Sequence, residues 1–233
     1  MNFKILGDSD CPLVHIELRT DETIKLERGA MAYISNTHLE GKMNSSKKGF
    51  GGVLSAIGRS ITSGESMFIT HATGESEDAY VGAAPAIPGK IHCLHVDANK
   101  QYRLNTGAFL ACDDSVEYVM KSQDLGKAVF GGTGGLFVME TQGEGDLLVS
   151  AFGDILALQV TRDNPIRIDN EHVVAWDAAL NYDISIASGT FGFTTGEGLV
   201  NEFHGEGTVL IQTRNIHSLA DAVRPFLPSS TSN

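Results

Sequence analysis

IELRTDETIKLERGA, Ile16 to Ala30, is written twice more in this chain, as LHVDANKQYRLNTGA from Leu94 to Ala108 and as LQVTRDNPIRIDNEH from Leu158 to His172. Each copy opens with apolar residues two apart (Ile16 and Leu18, Leu94 and Val96, Leu158 and Val160) and then places a turn acid or amide, Asp21, Asn99 or Asp163. Each returns as apolar, basic, apolar: Ile24-Lys25-Leu26, Tyr102-Arg103-Leu104, Ile166-Arg167-Ile168. Successive side chains of a strand point to opposite faces, so alternation on both sides of an Asp or Asn turn predicts two strands. The expectation is that every copy begins with a β-hairpin.

Further along, AFLACDDSVEY (Ala108 to Tyr118) matches HVVAWDAALNY (His172 to Tyr182) at the same offset, 172 − 108 = 64. Gly-Glu turns then follow in all three copies: ATGESEDAYVG from Ala72, QGEGDLLVSAF from Gln142 and HGEGTVLIQTR from His204. Glycine reaches positive φ without strain, which accounts for Gly74, Gly143, Gly145, Gly205 and Gly207 as structural turns. A phosphate cradle would need a strand-to-helix setting, and here β-runs such as TVLIQT follow instead. From the residue closing the first segment to the turn glycine, the copies span 44, 35 and 33 residues (74 − 30, 143 − 108, 205 − 172). The first copy therefore carries an insertion, best placed at SSKKGFGGVLSAIGRSI, Ser45 to Ile61.

A mostly-strand unit of about sixty residues cannot cover its own apolar surface, so the three must share a core. The prediction is one compact all-β body, a pseudo-threefold repeat of antiparallel modules over about 1–90, 91–154 and 155–214. After it, NIHSLADAVRPF carries Ile216, Leu219, Ala220 and Val223 at helical spacing. This predicts a short C-terminal helix within 215–226, docked on the body and halted before Pro225, with 228–233 as a frayed tail.

The 233 residues carry 29 acidic against 17 basic side chains, a formal charge of −12, which repels polyanions and argues against nucleic acid as a partner. Cys11, Cys93 and Cys112 are odd in number, widely spaced and without a Cys-x-x-Cys, a pattern that fits reduced thiols better than a disulfide frame. MNFKILGDSD lacks the long apolar region of a signal peptide, and no segment has the apolar length that spans a bilayer. The expected location is the cytoplasm.

Five blocks in order, RGAMAYISNTHLEG, SGESMFITHATG, GAFLACDDSVEY, GGTGGLFVMETQGEGDLLVSAFG and GEGLVNEFHGEGTVLIQTRN, resemble the family named for altered inheritance of mitochondria. The likeness runs over nearly the whole chain up to the terminal helix. It implies an all-β fold grouped with the tryptophan RNA-binding attenuation protein, of the double-stranded β-helix type. It implies no mechanism, since the family is widespread in bacteria as proteins of unknown function and has no catalytic signature to place here. The RNA-binding relative shares fold only, and fold does not give function.

By residue type, His92, Cys93 and His95 in KIHCLHVD are the best metal candidates. On a strand Cys93 and His95 share a face while His92 lies opposite, so a site would need further ligands such as Cys112 or His15. Ordinary strand residues with polar faces are the simpler reading, and no cofactor is expected. The acids Asp113-Asp114 and Glu75 with Glu77 read as solvated turn residues. No Gly-x-Ser-x-Gly elbow or Ser/His/Asp arrangement is present, so no catalytic residue is assigned. In the insertion, Phe50, Val53, Leu54, Ile57 and Ile61 recur near helical spacing with Lys47, Lys48 and Arg59 at the flanks. That pattern suits a lid on the protein's own barrel, with a partner groove or a membrane surface as alternatives. The sequence thus points to a non-enzymatic β-scaffold working through a protein partner or self-association. A metal- or small-molecule-binding barrel mouth at Cys93 and His95 is the alternative.

Overall fold

Residues 1–7, 10–43, 68–105, 107–122, 137–186 and 198–227 are described by the computed structural model. A first strand, β1 (Asn2–Leu6), precedes three sets of six. The first set is β2 (Leu13–Leu18), β3 (Thr23–Leu26), β4 (Met31–Ser35), β5 (Thr37–Met43), β6 (Phe68–Gly74) and β7 (Ala79–Ala83). The second is β8 (Ile91–Val96), β9 (Tyr102–Leu104), β10 (Phe109–Asp113), β11 (Val116–Ser122), β12 (Phe137–Gly143) and β13 (Gly145–Ser150). The third is β14 (Ile155–Val160), β15 (Ile166–Asp169), β16 (Val173–Asp177), β17 (Asn181–Ile186), β18 (Leu199–His204) and β19 (Gly207–Gln212), after which the helix α1 (Ile216–Val223) runs into a 3-10 turn, Arg224–Phe226.

The expected hairpins are not formed. β2 pairs with β1 and β7, whereas β3 pairs with β6 and β10, so the strands flanking the Asp21 turn lie in different sheets. The same holds at Asn99 and Asp163, where only the isolated bridges Asp97–Lys100 and Thr161–Asn164 close the turn. Each segment is a long arm bent at a corner from one sheet into the next. Period-two alternation on either side of a bend is identical for a hairpin and for a corner, because it reports which face is buried and not which strand is the neighbour.

Within every set the pairing is the same: first with sixth, sixth with third, second with fifth, fifth with fourth. Ile16 faces Val81, Leu94 faces Leu147 and Leu158 faces Val209, equivalent residues in the three antiparallel ladders. Consecutive sets are then joined by one rule, the second strand of one pairing with the third strand of the next. In the first joint Leu26, Lys25 and Ile24 face Ala111, Cys112 and Asp113; in the second Leu104, Arg103 and Tyr102 face Ala175, Trp176 and Asp177. Backbone bonds from Glu27 N to Leu110 O (2.8 Å) and from Asn105 N to Val174 O (2.9 Å) extend both. The resulting sheets are β1-β2-β7-β4, β5-β6-β3-β10-β13-β8, β11-β12-β9-β16-β19-β14 and β15-β18-β17.

Three apolar clusters lie between successive sheets. One gathers Val14, Ile16, Leu26, Val81, Leu110 and Leu148, a second Leu94, Leu104, Phe109, Met139, Leu147 and Val174, and a third Val160, Ile168, Trp176, Leu180, Phe203 and Val209. Burying each such side chain contributes about 1.5–3 kcal/mol. Leu110 and Leu148 of the second set belong to the cluster of the first, which is how the units share a core.

The turn glycines divide by cause. Gly143 has φ +95° and a Cβ there would sit 2.2 Å from Ser115 O, so both backbone angle and space demand glycine. Gly74 lies outside the positive-φ region and is required by contact alone, its notional Cβ being 2.3 Å from Arg19 O. Asp113, expected as one of a solvated pair, is a corner brace: its Oδ2 accepts from Asp146 N at 2.7 Å, and its counterpart Asp177 accepts from Thr208 N at 2.9 Å.

The terminal helix begins where expected, capped by Asn215 whose Oδ1 accepts from Ser218 N at 2.7 Å, and its last residue is Val223. It is not docked through its apolar stripe: Ile216, Leu219 and Val223 are exposed and the helix buries no residue. Eight residues anchored mainly by the cap and by the His217–Glu171 contact follow the body without adding to its core. Phe50, Val53, Leu54, Ile57 and Ile61 lie outside the described residues, as does the tail from 228.

Candidate interaction surface

β8 is the outermost strand of its sheet, paired on one side with β13, and carries His92, Cys93 and His95. His92 and His95 are exposed, Leu94 between them is buried, and Cys93 is half-buried against the first apolar cluster. His95 Nδ1 lies 3.2 Å from Asp146 Oδ1. Burial, then the Asp146 and Asp113 carboxylates, push the Cys93 thiol up to about 11. A metal ligand or nucleophile needs the thiolate, so this surrounding works against both roles. Cys112, the other suggested ligand, is fully buried with its thiol up at about 12, again through burial. His15 is engaged elsewhere, with Nδ1 2.9 Å from the Tyr33 hydroxyl. Among the described residues no group of three or more His, Cys, Asp or Glu is disposed to hold a metal. His92, Cys93 and His95 line a groove of about 310 Å³ whose other wall includes Ile155, Ala175 and Trp176.

A larger cleft of about 540 Å³ opens beside the second joint, where Asn105, Asn170, Glu171, Gln212, Asn215 and His217 supply its polar lining. These groups are committed to one another and to the backbone. Asn105 Nδ2 donates to Asn170 O (2.8 Å), Gln212 Nε2 donates to Glu171 O (2.8 Å), and Gln212 Oε1 accepts from Phe152 N (2.9 Å). The cleft is a seam between modules, braced by its own polar side chains.

The two ends of the chain of sheets differ from its middle. β4 is the outer strand of the first sheet and β15 the outer strand of the last, and among the described residues neither has a second strand beside it. Superposing the sets by their registers places Met31 with Phe109 and Val173, and Ile34 with Cys112 and Trp176. Met31 and Ile34 are 41% and 40% exposed, whereas Phe109, Val173, Cys112 and Trp176 are 4%, 3%, 0% and 1% exposed. On the other edge, Arg167 with Glu202 repeats the pair Arg103 with Glu140 in strand register. The guanidinium Nε reaches the carboxylate at 2.7 Å in the middle pair and 2.6 Å in the end pair, but Arg103 is 22% exposed and Arg167 71%. Residues that the fold buries at its joints are thus bare at its ends. Further apolar exposure, Ile5 and Leu6 on β1, lies on the first sheet as well.

Arg167 stands in the sequence as the basic residue of the third returning strand, but nothing there marks Met31, Ile34 or Arg167 as a surface. Their equivalents are visible in the aligned copies, but three copies joined in a row have two joints and two ends, and which strand makes the joint is a matter of pairing that alternation does not carry. No helix among the described residues is long and apolar enough to cross a membrane.

Residues 3–214 match the family described as mitochondrial biogenesis AIM24. An uncharacterized protein of Streptococcus pyogenes serotype M6 is 45% identical over 234 residues, covering 99% of this chain and 93% of the relative. The X-ray crystal structure of another Streptococcus pyogenes protein is similar with a TM-score of 0.78 at 42% identity, over 97% of this chain and 99% of that one.

Proposed function

The chain belongs to the AIM24 mitochondrial biogenesis family, and we propose that it is a non-enzymatic β-scaffold acting through protein contacts in the cytoplasm. One observation carries this reading: apolar side chains buried at the internal joints, and an arginine partly buried there, have exposed counterparts at both end strands, Met31 and Ile34 on β4 and Arg167 on β15. Exposure at positions whose equivalents the fold covers marks a surface that another molecule covers. The thiol environment at Cys93 supports the same side of the choice, since a raised pKa suits a packed strand residue and opposes thiolate chemistry.

The reading is tested by light scattering on the purified chain at tens of micromolar, followed by affinity capture from its own cell extract with quantitation of stoichiometry. A scaffold associates with itself or retains another protein in fixed ratio. A monomer that retains no partner in fixed ratio overturns it.

A further inference from the structure

We infer that the partner of each end strand is a second copy of this chain, with β15 of one copy pairing antiparallel to β4 of the next to complete the six-strand arrangement of the internal sheets, with β1 as a seventh strand at its edge. The inference rests on the scaffold reading and names its partner. Within the chain, the sheet β5-β6-β3-β10-β13-β8 consists of three strands from one set and three from the following set, and β11-β12-β9-β16-β19-β14 repeats that composition. The last sheet, β17-β18-β15, is the first half of such a sheet, and β4-β7-β2 is the second half. The molecule therefore ends in two complementary halves of a structure that it builds twice in its own middle.

The internal joints also give the register. The offset between the first two sets is 108 − 30 = 78, and between the second and third 64. Transferring Leu104 opposite Ala175, Arg103 opposite Trp176 and Tyr102 opposite Asp177 by these offsets sets Ile168 opposite Tyr33, Arg167 opposite Ile34 and Ile166 opposite Ser35 of the next copy. The basic residue supplies a second, independent match. Lys25 Nζ donates across the first joint to Val116 O at 3.0 Å, and Arg103 Nη1 donates across the second to Leu180 O at 3.2 Å. These acceptors occupy the same repeat position, since 180 − 116 = 64, and the equivalent in the first set, where the turn is one residue shorter, is Thr37, which faces Gly74 as Val116 faces Gly143. Arg167 therefore donates to Thr37 O of the neighbouring copy. There the Arg167–Glu202 pair loses water as Arg103–Glu140 already has, and Met31 and Ile34 are covered as Phe109 and Cys112 are.

Such a joint is head to tail: each copy offers one edge of each kind, so association continues until it closes into a ring or extends as a fibre. An extended strand adding to an exposed sheet edge gains main-chain hydrogen bonds along its length, and alternate side chains provide specificity. An unpaired edge is otherwise a site of unwanted pairing that proteins shield with charge or covering elements. β4, with Met31 and Ile34 exposed, has no charged residue along Met31–Ser35 to shield it.

The test is disulfide trapping in the full chain with exposed Cys11 changed to Ser. Ser35→Cys and Ile166→Cys are made as separate proteins, oxidised alone and as a mixture, and read by non-reducing mass spectrometry. The expected product is a mixed dimer linked between positions 35 and 166, formed in the mixture and not by either protein alone. In parallel, Ile34→Lys and Arg167→Glu each lose the assembly seen by light scattering, while circular dichroism and the fluorescence of Trp176, the sole tryptophan, stay native. Assembly that survives both edge variants, or trapping of 35 to 35 in place of 35 to 166, overturns the joint and leaves the scaffold reading standing. A chain that is monomeric and binds another protein in fixed ratio does the same. A monomer without any partner overturns both.

Discussion

Glu140 shows how single side chains set this protein's response to acid. Burial alone would raise its carboxyl, but hydrogen bonds and charge from Lys121 and Arg103 outweigh that and hold it below its ordinary 4.5. A carboxylate with a depressed folded pKa stabilises the fold fully above its unfolded value and loses that contribution as pH falls through the folded one. Glu140→Gln is therefore destabilising at pH 7, and its deficit against the parent shrinks below about pH 4.5, as urea midpoints across that range will report. His71 acts in a higher window. Burial, then the Lys42 charge, lowers its imidazole below the ordinary 6.5 against the opposing pull of Asp114. Below pH 6.5 the unfolded chain takes up that proton first, so stability falls on acidification, and His71→Gln flattens the urea midpoint between pH 7.5 and 5.5. Gly143 belongs to the same scale: with φ +95° and Ser115 O in the way of a Cβ, Gly143→Ala costs about 2 kcal/mol or more, measured by chemical denaturation. Glycine at this corner was legible from the Gly-Glu spacing. The bracing role of Asp113 was not, because its acceptor contact to Asp146 N joins residues 33 apart in sequence.

At the level of elements, the informative comparison is between the same strand pair in the middle and at the end of the row. Arg103 sits in a closed joint with Glu140 and Leu180 O as partners, while Arg167 occupies the open counterpart with Glu202. The middle pair is partly buried, with Arg103 22% and Glu140 15% exposed, so truncating Arg103 leaves Glu140 and Leu180 O short of a donor, whereas an exposed pair contributes about 0–1 kcal/mol. Arg103→Ala is accordingly far more destabilising than Arg167→Ala under dilute conditions where copies are separate, as equilibrium unfolding at low protein concentration will show. Strand positions and their buried faces could be read from alternation: Val14, Ile16 and Leu18 are buried, as their spacing demands. Their partners could not, because Ile16 meets Val81 and not the strand that follows it across the Asp21 turn. The terminal helix illustrates the converse limit. Helical spacing and the Asn215 cap locate it, but an apolar stripe does not name what it lies on, and Leu219 and Val223 remain exposed.

For the whole molecule, three units in a row build two complete antiparallel sheets and two halves, and the apolar clusters run between successive sheets without a closed barrel among the described residues. Trp176 and Phe203, ring centroids 5.5 Å apart in the last cluster, mark the core nearest the open β15 end. Phe203→Ala leaves a cavity there at a cost of about 3–5 kcal/mol, which the Trp176 emission in a denaturant titration will register. The threefold writing of the sequence was enough to predict an all-β repeat body. It could not reveal that the row ends in complementary halves, since that depends on which strands pair across units. The most direct measurement of the account is hydrogen exchange of peptides covering 31–35 and 166–169, at protein concentrations from well below to well above that at which the chain associates. The joint predicts that both segments become slow together at high concentration, approaching the protection of β10 and β16. Rapid exchange in both at every concentration, with β10 and β16 protected throughout, would contradict it.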